Sequence, residues 1–113
     1  MRTIKNLSLL LACAAFAGCA GLNAQRREAR GAADKTAGAE LAVKEARQAG
    51  AVTCASKELK AAETDLQFAR TNLQKKEYGM AARFAESAKT SAGAATLKCN
   101  EAKKRAKKKQ EKL

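Results

Sequence analysis

Histidine, proline and tryptophan are all absent from the 113 residues, and aromatic side chains make up only 4%. Without histidine, Ser-His-Asp and Cys-His catalysis and any His-containing zinc site are excluded. Without proline, and with few β-branched residues against abundant Ala, Lys, Glu and Arg, nothing breaks a helix and little favours a strand. The expected fold is all-α. The 46% hydrophobic fraction is largely alanine, so thin helix-helix packing is expected in place of a deep core of large side chains. The length limits the chain to one compact unit, and 30% charged residues exclude a multi-pass membrane protein. No carboxylate pair, no nucleophile with a base and no phosphate loop stands at a meaningful spacing, so the chain is not expected to be an enzyme, and neither a cofactor nor a metal is implied.

Met1 to Asn6 carries Arg2 and Lys5 without an acid, and Leu7 to Ala17 is an unbroken run of apolar and small residues. A bilayer-spanning helix needs about 20 such residues, so this run reads as the core of a secretory signal. Phe16-Ala17-Gly18-Cys19 follows. Two small residues before a cysteine resemble the lipobox of bacterial lipoproteins, although Phe16 stands where that pattern usually has Leu. The resemblance implies cleavage before Cys19 and acylation of its thiol, with Cys13 discarded in the signal. Two or three acyl chains, at about 0.8 kcal/mol per buried methylene, make a stable membrane anchor. Ala20, not Asp, after the lipidated cysteine implies sorting to the outer membrane, facing the periplasm. The alternative is an ordinary signal cleaved after Ala20 or Ala24.

Of four cysteines, Cys54 and Cys99 then remain, and an exported compartment oxidises such a pair. Leu59, Ala62, Leu66, Ala69 and Leu73 alternate by threes and fours, which places them on one helical stripe. A second stripe runs Ala81, Phe84 or Ala85, Ala88, Ala92, Ala95 and Cys99. The phase breaks across Lys75-Lys76-Glu77-Tyr78-Gly79, where the glycine is expected to permit a tight connection. The two stripes form an antiparallel αα-hairpin with its turn near 75–79, packed through Leu59, Leu66, Leu73, Tyr78 and Phe84. The midpoint of Cys54 and Cys99 falls between residues 76 and 77, so the two should meet at the open end as a disulfide. Cys54 lies off the Leu59 stripe, in a lead-in for which Ser56 is the candidate N-cap.

Glu58-Leu59-Lys60-Ala61-Ala62-Glu63, with Tyr78-Gly79-Met80-Ala81-Ala82-Arg83-Phe84-Ala85-Glu86-Ser87-Ala88, resembles an uncharacterised family of short Ala-rich helical envelope lipoproteins, domain of unknown function 4398. The resemblance covers roughly residues 40 to 97. The same Tyr and alanines are similar to a single tetratricopeptide helix pair, but a stable solenoid takes about three stacked repeats. Family members associate with the periplasmic side of the envelope, sometimes beside peptidoglycan-binding domains, and no such domain fits in this chain.

Leu22 to Gly50 holds a weaker stripe of Ala29, Ala32 or Ala33, Thr36 or Ala37, Leu41 and Val43, interrupted by Gly31 and Gly38. A third, looser helix is expected, completing a small three-helix arrangement. The expected divisions are a signal at 1–18, a lipidated tether at 19–30, the helical domain at 31–97 and a basic tail at 98–113. Glu40 and Lys44 are expected to form a helix-surface ion pair. Self-association through the Leu59 stripe is an open option, although that stripe spans few heptads.

The net charge is +12, and residues 98–113 hold eight basic residues against Glu101 and Glu111. Lys103, Lys104, Arg105, Lys107, Lys108 and Lys109 would suggest nucleic acid in a cytosolic protein, a partner that export removes. The anionic surfaces left are lipid head groups, lipopolysaccharide phosphates and peptidoglycan carboxylates. A solvated helix end is the alternative, since cations suit the C-terminal dipole. Leu113 follows Lys112, so a covalent cell-wall link of the major murein lipoprotein type, which needs a C-terminal Lys, is not expected. The reading is an outer-membrane-anchored periplasmic lipoprotein with a structural or interaction role. The alternatives are an adaptor docking on a larger complex through Tyr78, Phe84 and Phe68, or binding of an anionic surface by the tail.

Overall fold

A computed structural model describes the backbone of residues 2–113 and the side chains of residues 21–113. The chain forms four helices, α1 (Arg2–Gln48), α2 (Ala51–Cys54), α3 (Ser56–Gln74) and α4 (Tyr78–Glu111), and no strand among the described residues. The third helix is not loose. α1 runs without a break through Gly31 and Gly38, because its stripe of Ala32, Thr36, Ala39, Val43 and Ala46 is buried. Two glycines cost about 1 kcal/mol each in a helix interior, and that packing outweighs them. Leu41, expected on the stripe, is 58% exposed, because the buried positions step from Thr36 to Ala39 to Val43. Residues 19–30, expected as a tether, lie within α1, and 98–111 of the expected tail lie within α4.

The core is a three-helix seam built almost wholly of alanine. α3 contributes Leu59, Ala62, Leu66 and Ala69, led by Ala55 just before it, while α4 contributes Ala81, Ala85, Ala88, Ala92, Ala95 and Cys99. Each set repeats at three and four residues, and methyl groups at these positions let helix axes approach closely. Of the two candidates at one position, Ala85 is fully buried and Phe84 only half-buried. The Leu59 stripe is occupied by α4 of the same chain, which leaves it unavailable as a seam for a second copy.

α4 packs along both α1 and α3, while α1 and α3 touch each other much less. Pairing of Lys35 with Glu86, and the crevice that joins Ala32 to Tyr78, run α1 parallel to α4. Arg70 with Glu40, and Arg47 with Glu63, set α3 antiparallel to α1. Because the parallel pair is staggered, each member overhangs an opposite end of the body. At 1.5 Å per residue, α1 extends about 16 Å from Ala32 back to Gly21, and α4 about 18 Å beyond Cys99. With helical residues 2–20 included, the rod measures 98 × 21 × 14 Å.

The hairpin turn differs in detail from the expectation. Gly79 lies inside α4, and the left-handed residue is Lys76, at φ 61°. Glu77 N–H donates to the Asn72 carbonyl at 2.9 Å and Lys76 N–H to that of Leu73 at 3.0 Å, the Schellman pattern that ends α3. Just after α1 the left-handed residue is a glycine, Gly50 at φ 93°. Ser56 is the first helical residue of α3 and not its cap; Ala55 holds the N-cap position without a side-chain hydrogen bond.

Candidate functional site

The acceptor proposed for lipid, Cys19, has a side chain outside the described residues, as has Cys13. The other two cysteines are joined. Cys54 ends α2 and Cys99 sits on the α4 stripe, 1% exposed, with Cα atoms 5.4 Å apart in a disulfide. One turn from the bond, Lys98 Nζ donates to Glu58 Oε1 at 3.1 Å. Glu58 also lies in the first turn of α3, where its own backbone N–H and the Lys98 ammonium hold its carboxyl below the usual glutamate range. Its second oxygen, Oε2, is enclosed and has no protein partner. One end of the body is thus closed by a covalent bond and an ion pair together.

The hairpin residues divide. Leu59 and Leu66 are buried, whereas Leu73, Tyr78 and Phe84 are half-buried. Phe84 lies against Phe68 across the α3–α4 seam, with ring centroids 5.1 Å apart. Phe68 remains 48% exposed and Met80 45%. Tyr78 does not join them. It lines a crevice with Glu28, Ala32 and Lys35 of α1, about 120° around α4 from Phe84 at 100° per residue. A common groove anchored by all three aromatics is therefore not present; the two phenylalanines form one surface and the tyrosine serves the α1 junction.

Ion pairs missed by sequence reasoning bind α1 to its neighbours. Lys35 pairs with Glu86 and Arg47 with Glu63, and Arg70 Nε donates to Glu40 Oε1 at 2.9 Å. Glu40 thus reaches across to α3 and not along its own helix to Lys44. Lys35, donating to Glu86, keeps that carboxyl below the usual range. Between α1 and α3, Glu40, Arg47, Glu63 and Arg70 rim an open groove of about 440 Å³ floored by Val43 and Leu66. Contacts between helices so far apart in sequence leave no local spacing signal, which is why only the intrahelical pair was anticipated.

The basic residues stand apart from all of this. Every residue from Asn100 to Leu113 is exposed. Among the described residues, Lys103, Lys104, Arg105, Lys107, Lys108 and Lys109 form no ion pair with an acidic side chain. At 100° per residue they cover about two thirds of the helix circumference, and the remaining third carries Ala102, Ala106 and Leu113, in line with Ala95 and Cys99. Lys98, counted with the tail in sequence, belongs to the body through Glu58. No helix among the described residues is long and apolar enough to cross a membrane.

No curated protein and no solved structure matches the chain. A family pattern does, over residues 34–111. That span reaches beyond the stretch that carried the resemblance in sequence, and it takes in the packed half of α1 and nearly all of α4, overhang included. With well over half its length matched, the chain belongs to the family described as domain of unknown function DUF4398.

Proposed function

We propose that this chain is a lipoprotein of the bacterial outer membrane, anchored through acylated Cys19, facing the periplasm and acting as a structural or interaction element without catalysis. The observation that carries this reading is the Cys54–Cys99 bond, because disulfides persist in exported proteins and are rare in the cytosol. It is supported by the signal-like Arg2 to Ala17 stretch and the Ala17-Gly18-Cys19 sequence. The test is intact-mass analysis of protein extracted from membranes, with and without reduction before alkylation. The expected mass corresponds to a chain beginning at Cys19 plus acyl groups, with Cys54 and Cys99 alkylated only after reduction. An unacylated mass, or two thiols alkylated without reductant, overturns the reading.

A second reading is favoured by one surface. Phe68 and Met80, exposed beside Phe84, suit an adaptor that docks on a larger envelope complex. Changing Phe68 and Met80 to Ser should then remove a co-purifying partner while leaving helix content unchanged. Retention of every partner argues against it.

A further inference from the structure

We propose that the α4 overhang is a cell-wall probe, a cationic helix that enters the anionic peptidoglycan mesh and binds its carboxylates. This inference rests on the envelope reading above and names the partner of that molecule's far end.

Three observations select this occupant. The first is the angular distribution of charge. Lys103, Lys104, Arg105, Lys107, Lys108 and Lys109 spread over about two thirds of the helix circumference, so a flat surface reaches only some of them at once, whereas a polymer network reaches them all. The second is the smallness of the apolar face. Ala102, Ala106 and Leu113 continue the line of Ala95 and Cys99, but two methyl groups and one terminal leucine offer little to bury, and a helix lying in a bilayer interface needs a substantial apolar stripe. The third is position. From Gly21, beside the proposed anchor, to the end of α4 the rod measures about 65 Å at 1.5 Å per residue. Most of the surplus positive charge is therefore held far from the membrane that bears the lipid, while residues 31–97 are nearly balanced in charge.

The overhang also has a reason to take a polyanion. Lys103 and Lys107, Lys104 and Lys108, and Arg105 and Lys109 are like-charged neighbours four residues apart, and no other element packs on them. Such pairs weaken a helix, and counter-charges threaded between them relieve the repulsion. Docking of a second copy end to end is disfavoured by the same charges, since the α1 overhang presents Arg26, Arg27 and Arg30 against only Glu28.

The test uses full-length protein in mild detergent, mixed with purified, protein-free sacculi and sedimented at low and at high salt. Wild type should pellet with sacculi at low salt and bind at least about tenfold more weakly at high salt, as screened charge pairs do. The six cations changed together to Gln should leave the protein in the supernatant, and the same six as Arg or Lys throughout should restore pelleting. The body does not contact these positions, so equal helix content in the 31–97 region, read by protection from proteolysis, shows that the variant is folded. In parallel, protein reconstituted into phosphatidylcholine vesicles is offered fluorescent phosphatidylglycerol vesicles. Pelleting of the Gln variant like wild type, or recruitment of phosphatidylglycerol vesicles by protein that ignores sacculi, overturns the proposal. Acylation is read separately by mass on the same sample, so a failed anchor and a failed probe give different results.

Discussion

Cys54 is bonded to Cys99 at the end of the body from which the basic helix departs, opposite the hairpin turn at Lys76. The bond closes a loop of 45 residues, which by chain-entropy reasoning stabilises the fold by about 4 kcal/mol. An alanine-rich seam supplies little beyond that. Reduction, or Cys54→Ala together with Cys99→Ala, should lower the denaturant midpoint by an amount of that order, measured by circular dichroism in urea. A loss below about 1 kcal/mol would mean that the helical seam holds by itself.

Methyl groups at the seam set the distance between helices, and a larger side chain has nowhere to go. Ala88→Leu, at a position with no exposed surface, should destabilise by about 1–3 kcal/mol through overpacking. Gly93→Ala should do the reverse. An added Cβ there meets nothing within 4 Å, and alanine favours a helix interior over glycine by about 0.5–1 kcal/mol. Thermal melts of the two variants should move in opposite directions.

Two turns hold left-handed residues of different kinds. Lys76→Gly should stabilise by roughly 0.5–1 kcal/mol, because Lys carries a Cβ into a conformation that glycine adopts freely. Gly50→Ala should cost about 1 kcal/mol or more for the same reason. Lys76 is exposed and a Cβ at Gly50 meets nothing within 4 Å, so equilibrium unfolding isolates the backbone effect.

Glu58 and Glu86 are held below the usual glutamate range, the first by its backbone N–H and then Lys98, the second by Lys35. A depressed folded value means that the unfolded chain binds protons more readily, so these pairs stabilise above the unfolded value, about 4.3, and are lost as pH falls through the lower folded values. Stability should be flat from neutral pH to about pH 5 and decline below it. Glu58→Gln with Glu86→Gln should flatten that decline. The effect is modest because Glu86 is exposed to solvent and Glu58 is only half-buried.

Alanine spacing carried most of the fold. Ala81, Ala88, Ala92, Ala95 and Cys99, read as one stripe, are the buried face of α4, since period alone decides which side of a helix can meet a partner. The choice between Phe84 and Ala85 was not decidable from spacing; both fit, and the close approach of axes selects the methyl group. Gly79 was misread because glycine marks turns on average, whereas here hydrogen bonding places the positive φ at Lys76. The stagger of α1 against α4 was invisible, because it depends on ion pairs such as Lys35 with Glu86, 51 residues apart. The disulfide pairing was legible, as was the exposed basic run, for which the end of a helix was one of the two readings.

The disulfide also decides how the rod would carry tension. A pull between the α1 overhang and the α4 overhang follows the shortest covalent route, from Gln48 through Cys54 to Cys99 and on into the basic helix. α3 and the Lys76 turn lie on the bypassed branch and take no load along their backbone. With the bond reduced, the same pull must pass through the hairpin, and it shears α1 against α4 along their alanines. Oxidation converts a folded loop into a strut.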